Sequence, residues 1–96
     1  MDSTYLVECY TPGIRRKEVE IAGVRALEAA AALQREGLSV EYFGALLVPV
    51  DEVVFHVFSS ATVEAVREAS RRAEVGFERV VESFPVGSLR LRRNDD

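Results

Sequence analysis

The chain contains one histidine, His56, and one cysteine, Cys9, and these are the first side chains to weigh for chemistry near neutral pH. His56 lies inside Val53-Val54-Phe55-His56-Val57-Phe58, where five of six residues are Val or Phe. Such a run reads as a strand buried on both faces, with Val54, His56 and Phe58 on one side and Val53, Phe55 and Val57 on the other. An imidazole beside carboxylates suits nickel, zinc, copper or iron, and the carboxylates that alternation nominates are Glu8 in an N-terminal strand and Glu82 in a C-terminal one, with Glu78 behind it. His56, Glu8 and Glu82 are therefore the candidate metal ligands, expected to meet if the central strand register puts His56 on the face of Glu8. A different chemistry uses the same histidine as an acid or base in an organic-ligand cavity lined by Tyr10 and Tyr42. The ordinary role of a lone strand histidine is a core residue satisfied by one hydrogen bond. Glu8 and Glu82 have an equally plain role, reaching solvent at the barrel mouth or forming a salt bridge across the dimer to an arginine such as Arg79. Cys9 has no Cys or His at ligand spacing and falls on the face opposite Glu8, which reads as a small core residue. Asp51-Glu52 reads as an exposed turn.

The elements that must position these residues follow from periodicity. Thr4 to Tyr10 alternates as strand one, with Tyr5, Val7 and Cys9 against Leu6, Glu8 and Tyr10. Thr11-Pro12-Gly13 is a turn signal. From about Arg15 to Glu36 there is no proline, and Val19, Ala22, Gly23, Ala26, Ala30 and Leu33 recur at helical spacing, ending at a Gly37 cap. The small residues of that stripe let the helix lie close on a sheet. Ser39 to Val48 is strand two, and Val53 to Phe58 is strand three. Pairing Val48 with Val53 sets Ala45 opposite His56 and Phe43 opposite Phe58. Ser60-Ala61-Thr62 supplies hydroxyl caps for a second helix whose inner stripe is Val63, Val66, Ser70 and Ala73. Phe77 to Phe84 is strand four, with Glu78, Val80, Glu82 and Phe84 on one face. The order βαββαβ predicts an α+β, ferredoxin-like sandwich over residues 1–84, two helices on one face of an antiparallel four-stranded sheet. Residues 85–96 form a tail that is partly disordered or adds a short edge strand through Leu89 and Leu91. Central strands apolar on both faces need a second cover, so two copies are expected to pair sheet to sheet as a homodimeric α/β barrel.

Composition bounds the function classes. Ninety-six residues, 48% hydrophobic and 29% charged, describe one ordinary globular domain. The apolar runs are too short to span a membrane, and Met1-Asp2-Ser3-Thr4 lacks the basic and apolar regions of a secretory signal. With a single cysteine and hence no internal disulfide, a cytoplasmic location is expected. The net charge of −4 argues against nucleic acid, and Arg90, Arg92 and Arg93 are followed at once by Asp95-Asp96. There is no glycine-rich phosphate loop, nucleophile elbow, CxxC or HExxH.

Tyr5-Leu6-Val7-Glu8, Glu52 to Phe58, Glu64 to Ala73 and Phe77 to Glu82 together resemble the small bacterial nickel-binding ferredoxin-like family, much of it described only as a domain of unknown function. The resemblance covers about residues 4–84 and is strongest in the second helix and last strand. It implies a homodimeric α/β barrel and nickel binding, with Glu8 and His56 carried over as metal-site candidates. Ala69 stands where many members have histidine, and Glu74-Val75-Gly76 replaces their Gly-Leu-Pro-like turn. The leading expectation is thus a small, non-catalytic protein that binds a divalent transition metal, nickel first. The alternatives are a cofactor-light barrel enzyme of monooxygenase or cyclase type, or a structural or interaction module with a filled barrel.

Overall fold

The computed structural model describes residues 1–89 and 91. Its elements run β1 (Ser3–Tyr10), α1 (Arg16–Arg35), β2 (Val40–Val48), β3 (Val53–Ser60), α2 (Val63–Arg72) and β4 (Arg79–Ser83). A 3₁₀ turn at Pro49–Asp51 joins β2 to β3. The sheet order is β2-β3-β1-β4, and every neighbouring pair is antiparallel. This is the ferredoxin-like α+β arrangement. Past Ser83 the described residues add no strand, so neither Leu89 nor Leu91 extends the sheet. Arg90 and residues 92–96 of the expected tail lie outside the described residues.

Local chemistry explains where the helices start and stop. The Arg15 backbone N–H donates to Glu18 Oε1 at 3.0 Å, which satisfies a group that the first turn leaves open. At the other end Leu38 N–H reaches back to the Leu33 carbonyl at 3.0 Å, with Gly37 at a φ of 95°. That closure needs a left-handed residue, which is why the glycine falls there. Thr62 caps α2 by accepting from the Ala65 backbone N–H at 3.2 Å.

Both helices cover one face of the sheet. The core joins Val19, Ala26, Ala29, Ala30 and Leu33 of α1 and Ala65, Val66 and Ala69 of α2 to Val7, Cys9, Val40, Tyr42, Val54 and Phe58 of the strands. On α2 the buried stripe is Ala65, Val66, Ala69 and Ser70, so it is turned from the expected stripe, and Val63 sits at its margin. Alanine at 65 and 69 brings the α2 backbone down onto the sheet, as the small-residue stripe does for α1.

Strand β2 departs from regular alternation. Ala45 pairs with His56 as expected, but Phe58 faces Tyr42 rather than Phe43. The register shifts between Tyr42 and Gly44, where Phe43 is the extra residue and Gly44 takes a φ of 132°. A bulge of this kind reverses the facing of everything before it. Val40 and Tyr42 therefore join Ala45 and Leu47 on the helix-covered face, and both are buried.

Candidate functional site

The pairing registers decide where the expected metal ligands go. Val7 pairs with His56, so His56 shares the helix-covered face with Val7 and Cys9. Glu8 is one residue further along β1 and points to the opposite, open face. There its carboxylate accepts a hydrogen bond from Arg79, its register partner on β4. The pairing expected across a dimer is made instead within one chain, to its own Arg79. Glu82 pairs with Tyr5, which packs against the core, so Glu82 lies on the helix side of the edge strand and is exposed. His56, Glu8 and Glu82 are not brought together. Strand parity turns Glu8 away from His56, because neighbouring residues of β1 face opposite sides. Glu82 shares the helix side but sits opposite Tyr5 on the edge strand β4, two strands from His56 and displaced along the sheet. Among the described residues no group of three His, Cys, Asp or Glu side chains converges to hold a metal ion. The donor set implied by the nickel-binding resemblance therefore does not fit this arrangement.

What the structure does bring together is His56 and Tyr42. The Tyr42 hydroxyl lies 2.9 Å from His56 Nδ1, and the ring centroids are 5.8 Å apart. His56 is only 2% exposed and Tyr42 7%. Burial pushes the His56 pKa down from 6.5 to about 4, so the imidazole is neutral at physiological pH. The phenol is pushed upward by burial, with the Cys9 thiol adding to the effect, and it keeps its proton. Cys9 is itself raised to about 11 by burial, followed by the neighbouring charges of Glu78 and Glu8, which leaves it a protonated, unreactive thiol.

The second ring nitrogen of His56 is open. Its sole hydrogen bond is at Nδ1, yet no buried side-chain nitrogen or oxygen among the described residues lacks a partner. Nε2 therefore keeps some access to solvent, and His56 lines a cleft of about 330 Å³. Cys9, Ile14, Val54 and Val75 supply its apolar walls, and Glu18, Arg25 and Glu74 stand around it. Arg25 is held there because its Nε donates to the Ala73 carbonyl at 2.7 Å, at the C-terminal end of α2. On the other side of Tyr42 a wider groove of about 980 Å³ runs between α1 and β2, past Val24, Leu27, Phe43 and Leu47. The hydrogen-bonded pair stands as a partition beneath α1, and Val19 borders both spaces.

His56 and Tyr42 are both organic-ligand candidates from sequence, but they meet on the helix-covered face and not in the expected barrel interior. Tyr10, the third such candidate, lies on the open face and is exposed. Cys9 belongs to the cleft wall, as its shared face with Val7 allowed. Arg25 and Glu74 carried no sequence signal, since both look like helix-surface charge.

The fold has a solved counterpart. A Streptomyces coelicolor A3(2) protein, SCO4226, known from its crystal structure, superposes with a TM-score of 0.66 over 90% of this chain and 100% of its own, at 17% sequence identity. Likeness at that identity carries the fold alone. No family model matches the chain, and no curated protein matches it. No helix among the described residues is long and apolar enough to cross a membrane.

Proposed function

We propose that the protein binds a small organic molecule in the cleft beside His56, holding it by apolar contact and one hydrogen bond to the imidazole. The observation that carries this reading is a nearly buried, neutral imidazole with an unbonded Nε2, on the wall of a cleft that Cys9, Ile14, Val54 and Val75 line together with Glu18, Arg25 and Glu74. A cleft of about 330 Å³ is within the range of small-molecule sites. The reading is one of binding rather than acid–base catalysis. A general base works best with a pKa near the working pH, and a group at about 4 has little driving force to take a proton at pH 7. The expected divalent metal, nickel first, is the rival reading, and it has one donor nitrogen at this cleft with Glu8 and Glu82 directed elsewhere. A cytoplasmic setting suits this reading, since a buried, protonated Cys9 makes no disulfide.

The test is a screen of small carbonyl and aromatic compounds against the full chain, read by amide chemical-shift changes. Hits are expected to perturb Cys9, Ile14, Val54 and Val75, and to be lost when Val75→Trp fills the cleft. Ligands that leave those four residues unmoved would sink the proposal. Stoichiometric nickel or zinc binding that disappears in His56→Ala would replace it with the metal reading.

The same proposal includes a homodimer through the open sheet face. Leu6, Val53, Phe55, Val57 and Val81 lie there, and Leu46 on the edge strand is 62% exposed. Glu8 and Arg79 satisfy each other on that face, so a second copy meets no unpaired charge from them. Sedimentation at micromolar concentration is expected to give twice the monomer mass, and Leu46→Glu with Phe55→Glu is expected to return it to the monomer. A wild-type monomer at that concentration would remove this part of the reading.

A further inference from the structure

We infer that the cleft selects ligands that present a hydrogen-bond acceptor, a carbonyl oxygen above all, to an Nε2–H of His56, and that Gly23 positions Tyr42 to enforce this. The inference rests on the binding reading above and names the class of ligand it takes.

Between Tyr42 Oη and His56 Nδ1 there is one hydrogen bond, and one of the two groups must donate it. His56 Nδ1 is the sole partner of the Tyr42 hydroxyl among the described residues. Were Nδ1 to hold the ring proton and donate, the phenolic O–H would have no acceptor in a setting where Tyr42 is 7% exposed. With the phenol donating, its proton is satisfied, Nδ1 is the acceptor, and the ring proton must sit on Nε2. His56 lines the cleft, and Nε2 is its ring nitrogen left without a partner among the described residues. The cleft then offers an Nε2–H donor that no hydrogen bond among the described residues uses. A metal ion needs a lone pair at Nε2, so it would force the proton to Nδ1 and orphan the phenolic proton. The same arrangement that favours a carbonyl disfavours a cation.

Gly23 is what lets the phenol reach that position. It lies in the middle of α1, where glycine is a poor helix former, and a Cβ built there would stand 3.3 Å from Tyr42 Oη and 3.9 Å from Cε2. A contact of 3.3 Å is tighter than van der Waals packing allows without movement, so an alanine would press the hydroxyl away from Nδ1. The Phe43 bulge turns the ring to this face, and the missing side chain at Gly23 makes room for its tip.

The experiment is heteronuclear NMR of the imidazole nitrogens in the full chain at pH 7, followed by titration with acetophenone and with ethylbenzene, which has the same shape without the oxygen. Wild type is expected to carry its proton on Nε2 and to bind acetophenone at least about tenfold more tightly, the scale of one retained hydrogen bond. In Tyr42→Phe the preference is expected to fall to about threefold or less, and Gly23→Ala to lie between. A wild-type proton on Nδ1 overturns the inference, as does unchanged discrimination in Tyr42→Phe. Gly23→Ala behaving as wild type in both readouts removes Gly23 from the role. If neither probe reaches the cleft while the proton still reads as Nε2–H, the binding reading has failed and takes the selectivity with it, whereas the proton assignment stands by itself.

Discussion

Phe58→Ala is expected to lower the unfolding free energy by about 3–5 kcal/mol, measured by urea denaturation. Phe58 is completely buried in the central strand β3, where it belongs to the same core as residues of both helices. Its ring stands 5.0 Å from that of Tyr42 at an angle of 58°, a tilted aromatic pair that adds to the apolar burial. The neighbours on α1 and α2 are mostly alanines, which have no long side chain to fold into the space left behind. That rigidity puts the loss at the high end of the range. A domain of this size has about 5–15 kcal/mol in total, so the variant is expected to be near its unfolding threshold at 37 °C. Tyr42 loses its packing partner at the same time, so the His56 ring signals should broaden or shift. A loss below about 1 kcal/mol would mean that the helices collapse onto the gap and that the alanine stripe is not the close-packed layer described.

Acidification from pH 6.5 to pH 4 is expected to destabilise the protein, by up to about 3 kcal/mol from His56 alone. The folded His56 has its pKa lowered from 6.5 to about 4 because burial strips water from the charged form. Below pH 6.5 the unfolded chain takes up a proton there and the folded chain does not. The unfolded state then binds more protons, so stability falls as the pH falls, until the folded histidine also protonates near pH 4. Above pH 6.5 both states are neutral and the effect vanishes. Glu18 and Glu36, whose carboxyls are held below the ordinary range by hydrogen bonds from Arg15 and Arg72, destabilise in the same direction on protonation, but only at lower pH and weakly, since both are exposed. His56→Gln keeps a polar group of similar reach and removes the titration. Urea midpoints across this window should slope in wild type and lie nearly flat in His56→Gln. Equal slopes in the two proteins would show that His56 is more accessible to water than its 2% exposure implies.

These effects belong to the covered face of the sheet, and how much of that face was legible depends on the residue. The six-element order, the Gly37 closure and the pairing of Ala45 with His56 followed from periodicity and turn chemistry, which act over a few residues. The alanine and valine stripe of α1 likewise foretold a close-lying helix, although Ala29 joins it and Gly23 proves to be a space for Tyr42 rather than a packing surface. Alternation also separated Glu8 from Cys9 correctly. It could not place His56 relative to Glu8, because the face shared across two strands depends on their register, and a slip of one residue exchanges the faces.

The sequence by itself determined a βαββαβ chain with one histidine in an apolar central strand, because strand and helix periods and turn residues are local signals. Only the tertiary structure decided what that histidine meets. Pairing Val7 with His56 put the ring under the helices, away from Glu8, and the extra residue at Phe43 reversed the facing of Tyr42 so that its hydroxyl reached Nδ1. Regular alternation would have sent Tyr42 to the open face. A single-residue bulge leaves no mark on the hydrophobic pattern, yet it reverses the parity on which every inference about shared faces depends.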